Sequence, residues 1–232
     1  MLVRNFIHVL LISSQVSTFH TNGMVRHGLY PVNVRQSLLQ VGPTNDDSSK
    51  AAEGKMDRTN QDPLTIKFYG TVTTESCMTL TNMIETLDIK SKEAELKYGF
   101  RIPIKLHIQS VGGELMPAFY VCDMMKRLDT PVHVYVDGYV ASAASLIAVC
   151  GHKRYMTKHS SILIHQLTSS TSGKFAELKD EMSNLNLFMD NLKDIYLENT
   201  DIEENELESL FESDVWISAD KCLLLGLVDE VL

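Results

Sequence analysis

A serine becomes an acyl-transfer nucleophile when a base can take its proton and a carboxylate can orient that base. In this chain of 232 residues, Ser142, His165 and Asp214 occupy positions where strand ends could bring them together. Ser142 follows Gly138-Tyr139-Val140-Ala141 and precedes Ala143-Ala144, where a β-rich run passes into a helix of small apolar residues. There the free amides of a helix start favour an alkoxide and a tetrahedral oxyanion. The same position equally suits a plain helix cap, with the alanines allowing close packing. Ser145 is a weaker nucleophile candidate, because it falls a turn further into the apolar helix. His165 ends Ser161-Ile162-Leu163-Ile164, from which a side chain projects off the sheet edge into the same crevice. Asp214 precedes Val215-Trp216-Ile217 and is either a helix cap or a buried partner for a cation such as an imidazolium. Gln109-Ser110-Val111-Gly112-Gly113 follows another β-rich run; its paired glycines can turn tightly and present N–H groups to a negative atom, or can serve as a simple connector.

Other chemistries find less support. Cys77, Cys122, Cys150 and Cys222 are widely spaced, form no C-x-x-C pair and read as reduced core residues. The eight histidines include no H-E-x-x-H run, so no metal is implied. A net charge of −9 argues against a nucleic-acid partner, because that affinity comes from Lys and Arg neutralising phosphates. No phosphate-cradling G-x-x-x-x-G-K-[ST] loop is present.

The elements that must position these residues follow from periodicity. Strands are predicted at 65–69, 104–108, 132–136, 154–156 and 162–164, with helices at 78–87, 115–128 and 142–150. A long amphipathic helix spans 175–199, with Phe175, Leu178, Met182, Leu185, Phe188, Met189, Leu192 and Tyr196 on one face. Two short helices, 203–211 and 219–225, and a closing strand or tail at 228–232 complete the chain. Such alternation predicts an α/β fold with a mainly parallel sheet covered by helices, whose ligands gather beyond the carboxyl ends of the strands.

Residues 1–45 contain no Asp, Glu or Lys, only Arg4, Arg26 and Arg35, a composition that suits a targeting segment. The alternative is a disordered extension. The apolar run 6–12 is too short to cross a bilayer, so no membrane association is expected. Residues 46–62 are polar and read as a linker, and the folded domain is expected over 63–232. Residues 46–232 carry 18 basic against 30 acidic side chains, a net −12.

Five motifs in order make residues 64–232 resemble the proteolytic subunit of the ATP-dependent Clp protease. Gln109-Ser110-Val111-Gly112-Gly113 is similar to the family's Asn-Ser-Pro-Gly-Gly, Gly138 to Ala144 to its Gly-x-Ala-Ala-Ser-Met-Gly, and Leu163-Ile164-His165-Gln166-Leu167 to its Met-Ile-His-Gln-Pro. Asp214-Val215-Trp216-Ile217-Ser218-Ala219 matches an Asp before an aromatic segment and Ser-Ala, and Gly226-Leu227-Val228-Asp229 is the family's closing motif unchanged. The order Ser, His, Asp also differs from α/β-hydrolases, in which the acid precedes the histidine.

The resemblance implies a serine endopeptidase of the ClpP/crotonase-like fold, with a projecting handle helix and no metal or organic cofactor. Ser142 would be the nucleophile, His165 the general base and then acid, Asp214 the orienting carboxylate, and the backbone N–H groups of Gly112 and Ala143 the oxyanion hole. It further implies rings, heptameric and stacked in pairs and open to related subunits, that receive unfolded polypeptides from a Clp-type ATPase unfoldase. Import into a plastid or mitochondrion would suit residues 1–45, with the cytoplasm as the alternative. Val111 and Leu167 replace family prolines, and Ala143-Ala144 replace Met-Gly, so the shape of the cleft should differ. Residues 45–62 do not resemble the family's axial loop and helix. The competing functional readings are a non-catalytic subunit of a mixed ring and a crotonase-type acyl-CoA enzyme.

Overall fold

A computed structural model describes residues 64–232; the expected targeting segment and linker lie outside the described residues. The chain runs β1 (Thr65–Tyr69), α1 (Thr74–Tyr98), β2 (Ile104–Ser110), α2 (Leu115–Arg127), β3 (Val132–Ala141), α3 (Ala143–Val149), β4 (Lys153–Met156) and β5 (Ser161–Leu163). It continues through α4 (Phe175–Asn199), α5 (Glu204–Phe211), β6 (Ile217–Ser218), α6 (Ala219–Leu224) and β7 (Glu230–Val231). The fold is α/β. β1, β2, β3, β4 and β7 lie side by side in that order, all parallel, while β5 pairs parallel with the far end of β3 and antiparallel with β6.

The strands form because apolar β-branched and Leu residues alternate with polar or aromatic ones. Ile104, Leu106 and Ile108 of β2, and Val132, Val134 and Val136 of β3, point into a core shared with Leu80 and Ile84 of α1, Val121 and Met125 of α2, and Leu146 and Ile147 of α3. The opposite sheet face is only half-buried. There His107 stacks on Tyr135 at 4.7 Å and Tyr135 on Tyr155 at 4.6 Å, a ladder set by the parallel register of β2, β3 and β4.

Helix α1 extends well beyond the apolar repeat that predicts 78–87. Thr73 and Ser76 close a reciprocal capping box at its start, and Gly99, at φ 80°, ends it in the left-handed conformation. Between 90 and 97 the helix is polar but rich in Lys, Glu, Ala and Leu, all good helix formers. β3 likewise runs five residues past its predicted end, carrying the backbone to the edge of Ser142. Helix α4 has its predicted bounds, but its two halves differ. Leu192 and Tyr196 are buried, whereas Phe175 is 84% exposed and Met182 and Leu187 also face outward. Its first half therefore projects from the domain. At the end of the chain, the Asp229 carboxylate pairs with the Arg154 guanidinium at 2.6 Å and accepts from the Arg154 N–H at 2.7 Å, while the Asp229 N–H donates to Arg154 O at 2.8 Å, so the closing motif locks the last strand in place. No helix among the described residues is long and apolar enough to cross a membrane.

Candidate active site

Ser142 stands at the junction of β3 and α3 with φ 60° and ψ −133°, the one non-glycine residue with positive φ among the described residues. Such a conformation costs on the order of 1–3 kcal/mol and persists only when its surroundings over-determine it. They do so here. The Ser142 N–H donates to the Leu163 carbonyl of β5 at 3.0 Å, and its own carbonyl accepts from the Ser145 N–H at 2.9 Å and the Ser145 hydroxyl at 2.6 Å. Ser142 makes no side-chain cap. Its Oγ is buried with no hydrogen-bond partner, so the plain capping role is not the one this serine plays.

The Gly112-Gly113 turn packs directly on this junction. Gly112 has φ 92°, and a Cβ there would lie 2.6 Å from both the Ala141 carbonyl oxygen and the Ser142 Cβ; only glycine permits this approach. The turn is braced from the β1–α1 connection, where the Val72 N–H donates to Gly112 O at 2.9 Å and the Glu114 N–H to Val72 O at 2.8 Å. The Gly112 N–H donates to the buried hydroxyl of Ser110 at 3.1 Å. Ala143, the second expected oxyanion donor, is the first residue of α3, where a backbone N–H has no acceptor within its own helix.

His165 lies two residues beyond β5 and is buried. The adjacent Gln166 N–H donates to the Phe211 carbonyl at 3.1 Å, which fixes the backbone behind the ring. Its Nδ1 is 3.4 Å from Asp214 Oδ1, and its Nε2 is buried without a partner. With Nδ1 facing a carboxylate, the proton of the neutral ring belongs on Nδ1 and Nε2 is left as an acceptor. Burial holds the His165 pKa below its ordinary value, and the opposing pull of Asp214 is smaller. The ring is therefore a neutral base at neutral pH.

The reading of Asp214 as a buried partner for a cation is corrected. Its side chain is 60% exposed, and Val215 and Trp216 are exposed with it. β6 is only two residues long, and of this stretch Ile217 alone turns into the core. Trp216 packs edge-on against Tyr139 at 6.0 Å, which moors the segment to β3. Even so, Ser142, His165 and Asp214 line one cleft of about 110 Å³ together with Val111, Ala141, Leu163 and Trp216. A larger cavity of about 340 Å³, between β1 and the start of α1, holds none of these residues.

Ser145, weighed as a nucleophile, is a structural neighbour instead: its hydroxyl is fully buried and bonded to Ser142 O and the Tyr196 hydroxyl. In the sequence, Tyr196 reads only as one more residue on an apolar helix face. Leu167, at a family proline position, uses the N–H that proline lacks to reach Met189 Sδ of α4 at 3.4 Å. The four cysteines are buried free thiols, and burial pushes Cys77 up to about 11 and Cys222 up to about 12, which makes them poor nucleophiles. Among the described residues no group of His, Cys, Asp and Glu could hold a metal ion.

A cleft that pairs a strained serine with a neutral histidine and a carboxylate is suited to acyl transfer. Comparison with known proteins gives the same direction. The family model described as Clp protease matches residues 61–232. ATP-dependent Clp protease proteolytic subunit 1 of Protochlamydia amoebophila is 31% identical over 134 residues, spanning 56% of this chain and 65% of its own length. The ATP-dependent Clp protease proteolytic subunit of Deinococcus radiodurans is 28% identical over 170 residues, 72% of this chain and 79% of its own. A ClpP1 mutant from Listeria monocytogenes has a similar fold, with a TM-score of 0.62 at 23% identity over 73% of this chain and 91% of that one.

Proposed function

Because this chain belongs to the Clp protease family, we propose that it is the proteolytic subunit of an ATP-dependent protease and a serine endopeptidase acting through Ser142, His165 and Asp214. The observation that carries this reading is the convergence of the three side chains in one cleft, with Ser142 on a strained turn and the reactive atoms of serine and histidine unpaired. His165 Nε2 takes the Ser142 proton as Oγ attacks the peptide carbonyl, and returns it to the leaving amine. The oxyanion of the tetrahedral intermediate falls to the N–H groups of Gly112 and Ala143. For that, the Gly112 N–H must leave or share its bond to Ser110. Water then releases the acyl group from Ser142 by the same route in reverse. Asp214 keeps the His165 proton on Nδ1, and the 3.4 Å contact tightens when the ring becomes cationic.

The crotonase-type alternative loses its footing with the family assignment. Membership implies oligomeric rings and a Clp-type ATPase partner. The finer proposal is a heptameric ring, paired face to face through the exposed first half of α4 and able to include related subunits, that admits unfolded polypeptides. Phe175, Leu178, Met182 and Leu187 support it, since so much exposed apolar surface on one helix calls for a covering chain. Import into an organelle remains part of the proposal through the acid-free composition of residues 1–45. The purified chain should hydrolyse short peptides without ATP and scatter light as a ring rather than as a 26.1 kDa monomer. A ring with no hydrolysis would return the chain to the non-catalytic reading, and an active monomer would remove the ring.

A further inference from the structure

Ser145 and Tyr196 lie outside the triad, yet they hold the peptide group that carries one of the two oxyanion donors. The Ser142 carbonyl oxygen accepts from the Ser145 hydroxyl at 2.6 Å and from the Ser145 N–H at 2.9 Å. The Ser142 C=O and the Ala143 N–H belong to one planar trans peptide and point in opposite directions. Anchoring the oxygen in α3 therefore sets where the Ala143 N–H points. The single hydroxyl proton of Ser145 is committed to that carbonyl, which cannot donate. The Tyr196 hydroxyl, 2.7 Å from Ser145 Oγ, is thus the donor of its pair, and burial raises its pKa and keeps it protonated. Tyr196 sits in the last turn of α4 with its ring edge-on to Phe211 at 6.0 Å, and Phe211 in turn holds the backbone beside His165.

We propose that Ser145 and Tyr196 are positioning residues for peptide hydrolysis, a relay from the Tyr196 hydroxyl through Ser145 to the Ser142 carbonyl that aims the Ala143 N–H at the oxyanion. The relay rests on the peptidase reading and deepens it. It also ties the handle helix α4 to the turn that carries the nucleophile. A purely structural role would satisfy the same two buried hydroxyls without touching the chemistry, so activity and stability must be read separately.

The test measures kcat and KM on a short fluorogenic peptide, and the midpoint of thermal unfolding, for the full chain and three variants. Ser145→Ala should lower kcat about tenfold with KM within about twofold, because the Ser145 N–H still holds the carbonyl. Tyr196→Phe should lower kcat about threefold, and being isosteric apart from the hydroxyl it preserves the test if Ser145→Ala does not fold. Ser145→Ala strands the Tyr196 hydroxyl, whereas the double variant does not. The double variant should therefore regain thermal stability over Ser145→Ala while its kcat stays low, and a peptide boronate should lose affinity in step with kcat. Unchanged kcat in a folded Ser145→Ala, or kcat that recovers with stability in the double variant, overturns the inference alone. A wild-type chain that neither hydrolyses peptides nor reacts with a fluorophosphonate removes the peptidase reading and the inference together.

Discussion

Ser142 and Asp214 reach the same cleft with opposite kinds of support. The serine turn is held by β5, by the Gly112-Gly113 turn and by Ser145, and Ala141, Ala143, Ala144, Ser145 and both glycines are buried around it. The aspartate stands on an exposed connection, moored by one Trp216–Tyr139 contact and lying 3.4 Å from its histidine. The proposed nucleophile is thus built into the fold before any substrate arrives, while the proposed acid is adjustable. Substitutions that disturb the packing of the serine turn should therefore lower stability together with activity, and those on the acid side should lower activity with little change in stability.

The largest effect is expected from Ser142→Ala, which should lower peptide turnover by at least about a thousandfold while leaving assembly intact by light scattering. Turnover near wild type would dissolve the contrast at its stronger end. Asp214→Asn keeps the size of the side chain and, at an exposed position, should leave the unfolding midpoint unchanged, yet turnover should fall by about three powers of ten because the wrong His165 tautomer is favoured. The pH profile sharpens this. With His165 as the proposed base, hydrolysis should need its neutral form and be lost as pH falls through its pKa, which burial has already lowered. Asp214 is the group that raises that pKa, so Asp214→Asn should move the acid limb to still lower pH. An acid limb that does not move would mean that another carboxylate serves the ring.

Gly112→Ala comes next. Its Cβ would meet the Ala141 oxygen and the Ser142 Cβ at 2.6 Å, backbone and a fixed side chain that cannot step aside. We expect loss of activity by about a hundredfold together with a lower unfolding midpoint, since the turn must shift away from Ser142. Trp216→Ala should have the smallest effect. With Trp216 47% exposed, stability should change by about 1 kcal/mol or less, and kcat should drop about three- to tenfold as Asp214 loses its mooring. A Trp216→Ala variant as inactive as Ser142→Ala would show that the acid side is as rigid as the nucleophile side.

The sequence makes the strongly periodic parts of this fold legible. β1, α2 and α4 have the expected bounds within a residue because their apolar spacing is set by burial. The extensions of α1 and β3 escape periodicity for physical reasons. α1 is lengthened by a capping box and by polar helix formers, and β3 by pairing with β5, a partner distant in sequence. At the site, the motifs bring Ser142, His165 and Asp214 into view as types, but the exposure of Asp214 depends on a two-residue strand that no pattern announces. The Ser145–Tyr196 bond joins residues 51 positions apart, one in a run of small residues and one on an apolar helix face. Neither signal distinguishes a relay from ordinary packing.

The central claim is that Ser142 is an activated nucleophile, and it is tested most directly by treating the full chain with a fluorophosphonate and mapping the modified peptide by mass spectrometry. The account predicts a single adduct on Ser142, with labelling that slows as pH falls through the His165 pKa and that is strongly reduced in His165→Ala. An unlabelled protein, an adduct on Ser145, or labelling of Ser142 that does not depend on His165 would contradict it.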